Sequence, residues 1–421
     1  MAKYAAHRRA WSRNAALILT LALLATRAFG QTPSPASAAP APAPSDSPPL
    51  KTSINPFDPS NQAKPDLSNL SLEALMSIEV TSATKQKQRV SDVAAAISVL
   101  TQEDISRSGY QTIGELLRLV PGVYVGQIDP LRFAVGVRGG ANILSNNLLV
   151  MMDGRSVYSP ADAGVFYEAM DYIMPDIERI EVVRGPGATL WGANAVNGVI
   201  NVVTKSAQDT QGFLFDSHAG SDGYVNSFRY GGHVGDGLYF RVYGINRAMD
   251  DFQQASGKTA NDGMDQNRAG FRIDAALSGR DALTVTGEMF QQRAGNTVVK
   301  PIPIPTLPFT RPAQGDFNSY GSNLMARWTH TFSETSDFTV QGYFWNLTDI
   351  SGNLIHNLKD IQSSYDIDFQ HRFALMGNQE VIWGGDYRFS TVEFSNIPHA
   401  FTAPAAPTPK SAASSSRTTS R

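Results

Sequence analysis

Through its second half the chain repeats an apolar–polar alternation of period two. In Phe271-Arg272-Ile273-Asp274-Ala275 every other side chain is apolar and those between are charged. Leu283 to Met289, Phe338 to Gln341, Tyr365 to Gln370 and Val381 to Phe389 keep the same rule. Period two puts alternate side chains on opposite faces of a strand, so each stretch predicts a strand with one apolar and one polar face. About nine such segments, most of about ten residues, lie between residues 211 and 395. A tilted strand of about that length crosses a bilayer.

The connections fall into two alternating classes. Short turns are expected at Gly235-Asp236-Gly237, Ser278 to Asp281, Ser333 to Asp337 and Met376 to Gln379. Longer polar loops are expected at Met249 to Gln266, Gly295 to Asp316 and Thr348 to Asp360. Outer-membrane barrels have such a turn face and loop face. A soluble β-sandwich also alternates, but with shorter strands and short connections at both ends. Tyr230, Tyr239, Phe290, Trp328, Trp345, Trp383 and Phe389 fit an aromatic girdle at the lipid interface.

Before residue 211 the pattern differs. Thr101 with Asp104, and Thr112 with Glu115, have capping-box spacing ahead of short helical runs that Gly109 and Pro121-Gly122 close. Ile97 to Leu100, Leu148 to Met152, Ile180 to Val183 and Val199 to Val203 are short aliphatic strands. Residues 66–210 therefore read as a small α/β domain. The expected fold is a membrane β-barrel, antiparallel and incomplete in this chain, preceded by that domain.

The ends are different again. A basic start, an apolar run from Ala15 to Ala25 and Ala28-Phe29-Gly30 predict a signal peptide over residues 1–30; a buried helix is the alternative. Residues 31–65, rich in Pro and Ala, read as a disordered linker. Residues 396–421 are a low-complexity tail, of the kind an out-of-frame reading would produce.

Composition narrows the function. Across 421 residues, 35 Lys+Arg against 38 Asp+Glu give a net charge of −3, without the basic excess of a nucleic-acid binder. The absence of Cys excludes disulfides, thiolate metal sites and cysteine nucleophiles. No apolar run reaches the roughly 18 residues of a membrane helix. His218, His233, His330, His356 and His371 are scattered, and Gly185-Pro186-Gly187 lacks the Gly-Lys-Ser/Thr ending of a phosphate loop. No enzyme, metal or cofactor is expected.

Over residues 75 to 205 a series of motifs becomes recognisable. Ala94 to Leu100 with Glu103-Asp104-Ile105 and Ser108-Gly109, then Leu116 to Val123, Val137-Arg138-Gly139-Gly140 and Leu149 to Tyr158 come in order. Ile177-Glu178-Arg179-Ile180-Glu181-Val182-Val183-Arg184-Gly185-Pro186-Gly187 follows, then Leu190 to Ala195 and Gly198 to Lys205. The series resembles the plug domain of TonB-dependent outer-membrane receptors, such as those for siderophores and cobalamin. The resemblance implies a plug inside a barrel of about 22 strands, displaced when the inner-membrane TonB complex pulls.

It also implies roles for residues. Gly139, Gly154, Gly185, Gly187, Gly192 and Gly198 are expected at tight turns or close approaches. Arg138 and Arg184, with Glu178, Arg179 and Glu181, are expected to anchor the plug to the barrel. They could equally be surface residues, or pair among themselves on a strand. Ile78-Glu79-Val80-Thr81-Ser82 is similar to the family's TonB box, a peptide captured by strand addition to a sheet edge; the alternative is a first plug strand.

Expected partners are the TonB complex, outer-membrane lipid and a small ligand (siderophore, cobalamin or oligosaccharide), with no nucleic acid. The expected place is the outer membrane, and the expected task is active import. About nine strands are too few for such a barrel, which predicts a shortened receptor. The rivals are a secreted or periplasmic interaction module built on an isolated plug, a non-functional fragment and a passive channel.

Overall fold

The computed structural model describes residues 79–82, 88–89, 95–141, 146–187, 191–192, 194–301, 310–352, 358–376 and 379–395. The signal-peptide, linker and tail expectations, and Ile78, lie outside them.

The first domain is built around a five-stranded sheet. It joins β3 (Ala96–Thr101), β6 (Leu148–Met152), β7 (Arg155–Ser156), β10 (Ile177–Arg184) and β11 (Gly198–Thr204) in the order β3-β10-β11-β6-β7. Two-stranded ribbons surround it: β1 (Glu79–Val80) with β2 (Gln88–Arg89), β4 (Val123–Gln127) with β5 (Phe133–Val137), and β8 (Tyr158–Ser159) with β9 (Gly164–Val165). Of the central strands β11 and β6 run parallel and β10 is antiparallel to both its neighbours. β11 is almost wholly apolar because both faces are covered. Ile200 and Val202 enter the main core with Ile180, Leu116, Ile173 and Val150; Val199 meets Leu149, Met151 and Val183 on the other side.

Local signals set the helices. Helix α1 (Gln102–Ser108) begins at Thr101, whose hydroxyl accepts from Asp104 N while the Asp104 carboxylate accepts from Thr101 N, and ends at left-handed Gly109. Helix α2 (Ile113–Leu116) has Thr112 accepting from Glu115 N, but the Glu115 carboxylate reaches back one residue further, to Gln111 N. Asp153 and Gly154, with φ of 50° and 82°, form the two-residue connection from β6 to β7. Both positive angles match a type I′ hairpin turn, where Asp-Gly is favoured. A side chain at Gly154 would also lie 2.9 Å from the Arg327 guanidinium. Gly139, Gly185 and Gly192 likewise have positive φ. Gly187 and Gly198 serve space instead: a Cβ on Gly198 would sit 2.6 Å from Val183 O.

The second region is a nine-stranded antiparallel meander. Its strands are β12 (Gly212–Gly220), β13 (Gly223–Val234), β14 (Leu238–Met249), β15 (Met264–Ala276), β16 (Asp281–Pro301), β17 (Thr310–Ser333), β18 (Ser336–Ser351), β19 (Leu358–Met376) and β20 (Gln379–Ser395). Each pairs with the next, and β12 and β20 are the outer strands. No helix among the described residues is long and apolar enough to cross a membrane.

The ladder runs further than expected on the loop side. Of the stretch Gly295 to Asp316, the described residues are strand rather than loop: β16 and β17 remain paired out to Pro301 and Thr310. β18 and β19 stay paired to Ser351 and Leu358. Strands of up to 24 residues exceed the roughly ten that a bilayer needs, so the hairpins stand beyond it. Two-residue Ser221-Asp222 is a short connection on that same side.

The two faces of the sheet differ sharply. Phe213, Phe228, Tyr230, Tyr365, Ile367, Trp383 and Tyr387 are exposed on the outer face. The inner face carries Arg241, Arg247, Gln266, Arg268, Asp274, Gln362 and Asp366, all buried. The girdle expectation needs correction at three positions. Phe290 and Trp345 point inward and pack on Phe166 and Ala169 of the first domain, and Tyr239 shares the face of Arg241. Aromatics are wanted on both sides because the inner face also seats a folded domain.

Candidate functional site

The seam between the domain and the sheet concentrates the molecule's buried charge. Alternation makes β13, β14 and β15 present Arg229, Arg241, Arg247, Gln266, Arg268, Arg272 and Asp274 to one side. Most of their partners across the seam lie on the chain from Asp153 to Ala207. The Asp176 carboxylate, wholly buried, is paired with Arg229 and lies 3.8 Å from Arg241 Nε. Arg241 has no exposed surface, and donates to Lys205 O at 2.7 Å, Tyr172 Oη at 2.9 Å and Thr204 Oγ1 at 3.2 Å. Arg247 pairs with Asp171 at 2.6 Å.

Higher on the sheet, Arg268 donates to Glu168 O and Ala169 O while paired with Glu288, and Gln266 also donates to Glu168 O. These carbonyls belong to the 3-10 turn Tyr167–Met170, so the sheet satisfies acceptors that a short helix leaves open. Arg327 donates to Asp153 O, Ala207 N donates to Asp274 at 2.7 Å, and Ser159 donates to Gln362 Oε1 at 2.8 Å. A cavity of about 30 Å³, lined in part by Arg155, Tyr172, Tyr243, Glu288 and Asn323, interrupts the seam. It has room for about one or two waters.

Burial raises two acids on the domain side. Desolvation pushes the Glu168 carboxyl well above its ordinary value, with Asp349, Asp129 and Asp171 adding to the effect. Asp171 is raised for the same first reason, although Arg247 pulls against it. Buried pairs of this kind add little net stability, because desolvation offsets the attraction; removing one partner is what costs. The seam therefore fixes one position for the domain without gluing it there.

Among the described residues, the expected anchors are engaged within the domain itself. Arg184 donates to Pro121 O at 3.0 Å. Arg179 pairs with Glu178 at 2.5 Å and Glu181 at 2.7 Å, and the Arg138 guanidinium lies beside Gly185. Across the seam itself the sheet contributes most of the arginines, and the domain the carboxylates and carbonyls. The reason is placement, since β10 lies inside its own sheet between β3 and β11 and its charged residues are taken up there. The overlooked arginines did leave a signal, namely their shared parity along alternating strands.

The coupling-peptide candidate is docked. Glu79 and Val80 pair with Arg89 and Gln88, and Val80 is fully buried. Thr81 N and Ser82 N donate to Glu181 Oε2 at 3.0 and 2.7 Å, Ser82 Oγ donates to the same oxygen, and Trp191 Nε1 donates to Ser82 O at 2.6 Å. The segment was expected to be a peptide for strand addition or a first plug strand; residues 79–80 are a strand here, and a buried carboxylate holds the residues after it beside β10.

Residues 89–199 match the TonB-dependent Receptor Plug Domain family. The chain is 31% identical over 207 residues to a vitamin B12 transporter, BtuB, of Vibrio cholerae serotype O1, covering 48% of this chain and 32% of that protein. It is 32% identical over 186 residues to an iron-regulated outer membrane virulence protein of the same organism, covering 41% and 28%. Among solved structures, the pyoverdine outer membrane receptor FpvA of Pseudomonas aeruginosa PAO1 superposes with a TM-score of 0.58 at 18% identity, over 75% of this chain and 49% of that one. The match thus spans about a third or less of the curated relatives' length. The plug-domain match falls on the first domain, and the chain shares its fold with a structurally known outer membrane receptor.

Proposed function

We propose that this chain acts in the outer membrane as a TonB-dependent receptor, importing a scarce ligand such as a ferric siderophore or cobalamin, and that Glu79-Val80-Thr81-Ser82 is the peptide the TonB complex captures. One observation carries the reading. A folded plug is held by buried polar contacts on the inner face of a sheet whose outer face is apolar and aromatic. A wall that meets lipid on one side and a removable stopper on the other suits gated import. The relatives' names, a vitamin B12 transporter and an iron-regulated outer membrane protein, support that ligand range.

The test is uptake of radiolabelled ferric siderophore and of cobalamin in iron-starved cells with and without the intact gene. Loss of one uptake on deletion is expected, together with resistance of the protein to carbonate extraction from membranes. Val80→Pro should abolish energised uptake while surface binding persists. Extraction by carbonate would instead indicate a soluble interaction module.

A further inference from the structure

Glu181 is unusual among the acids of the plug. It is fully buried in the middle of β10, opposite Val99 on one neighbour and Asn201 on the other. Two groups of donors share it: Thr81 and Ser82 from the docked peptide, and Arg179 Nε from its own strand. Arg179 in turn is divided, its Nη1 held by Glu178, whose side chain is 48% exposed. If the peptide left, a buried carboxylate would lose most of its donors, which is severely unfavourable unless a cation compensates. Arg179 is already in contact and can give up Glu178 to water.

We infer that the convergence of Thr81, Ser82 and Arg179 on buried Glu181 forms a two-position latch. In the closed position the peptide's amides and hydroxyl occupy Glu181, and Trp191 holds Ser82 O. In the open position Arg179 turns fully onto Glu181, so the acid stays paired while Val80 and its neighbours become accessible. The latch sets how often the peptide is available to a strand-adding partner. It deepens the proposed function, resting on the reading of residues 79–82 as the coupling peptide.

The chain has no Cys, so a single Val80→Cys substitution in the full-length protein reports opening through its rate of alkylation by a maleimide. In that background Glu181→Gln exchanges charged for neutral acceptance and should speed labelling by about tenfold. Arg179→Gln should slow it, because the open position then leaves Glu181 without a cation. The double variant should label like Glu181→Gln, having no charge left to compensate. Hydrogen exchange of the Thr81 and Ser82 amides in proteins retaining Val80 should follow the same order, which covers the case that Val80→Cys itself disturbs folding. Equal labelling in Glu181→Gln and its parent overturns the latch; labelling of Arg179→Gln at the parent rate or faster overturns the exchange. These rates need no transport, so absence of uptake with this order intact would count against the function alone.

Discussion

The plug and the sheet are built as opposites. In the plug, β10, β11 and β6 bury mostly aliphatic side chains on both faces, with Glu181 and Asn201 as polar exceptions. In the sheet the arrangement is inverted, with Arg241, Arg268 and Asp274 inside and Phe213, Tyr365 and Ile367 outside. The difference follows from what each surface meets. The plug excludes water by packing on itself, whereas under the proposed function the wall has to satisfy lipid outward and a polar, separable partner inward. Side chains of one type therefore do opposite work: isoleucine at 180 holds the plug together, and isoleucine at 367 contributes nothing to any core.

The contrast can be broken most forcefully at the seam. Arg241→Ala would leave Asp176 with one cation fewer and Tyr172 and Lys205 O without their donor. A loss of about 3–5 kcal/mol in plug stability is expected, read by urea unfolding of the protein in lipid vesicles. Arg241→Lys should recover little of it, because a single ammonium cannot replace the forked contacts. Within the plug, Ile180→Ala should cost about 3 kcal/mol through the cavity it leaves, measured the same way. On the outer face, Ile367→Lys should cost about 2–4 kcal/mol in vesicles, the range for a cation near the bilayer midplane, and much less for the protein in detergent micelles. Equal losses in both media would deny that this face meets lipid.

The smallest expected effect is on the pH dependence of plug stability. The folded value of Glu168 is raised above its unfolded value of about 4.3, so the folded plug binds the extra proton. Stability from this group is fully present below that unfolded value and declines as pH rises from it through the folded value. Glu168→Gln should flatten this slope between about pH 5 and 7 and change stability at pH 5 by less than about 1 kcal/mol, followed by melting temperature.

Local chemistry was legible where the governing partners are near in sequence. Thr101 and Asp104 form the capping box that their spacing indicates, Asp153-Gly154 turns a hairpin, and Arg272 and Asp274 fall on the same inward face and pair at 2.7 Å. Misreadings arose where the partner is distant. Phe290 looked like a lipid-facing aromatic until the plug residues Phe166 and Ala169 came against it. The contacts across the seam, which no local pattern announces, join residues 53 apart, as in Asp176 with Arg229, or 69 apart, as in Tyr172 with Arg241. Gly295 to Asp316 read as loop because proline marks loops, although its described flanks remain paired, out to Pro301 and Thr310.

Sequence alone determined which segments become strands and which face of each is apolar, since a period of two is a property of the backbone and needs no partner. It also determined the order of plug motifs. Only the tertiary structure decided which charges meet across the seam and that Val80 is stored against Glu181. Those pairings depend on desolvation, and a side chain is desolvated only once distant parts of the chain have packed over it.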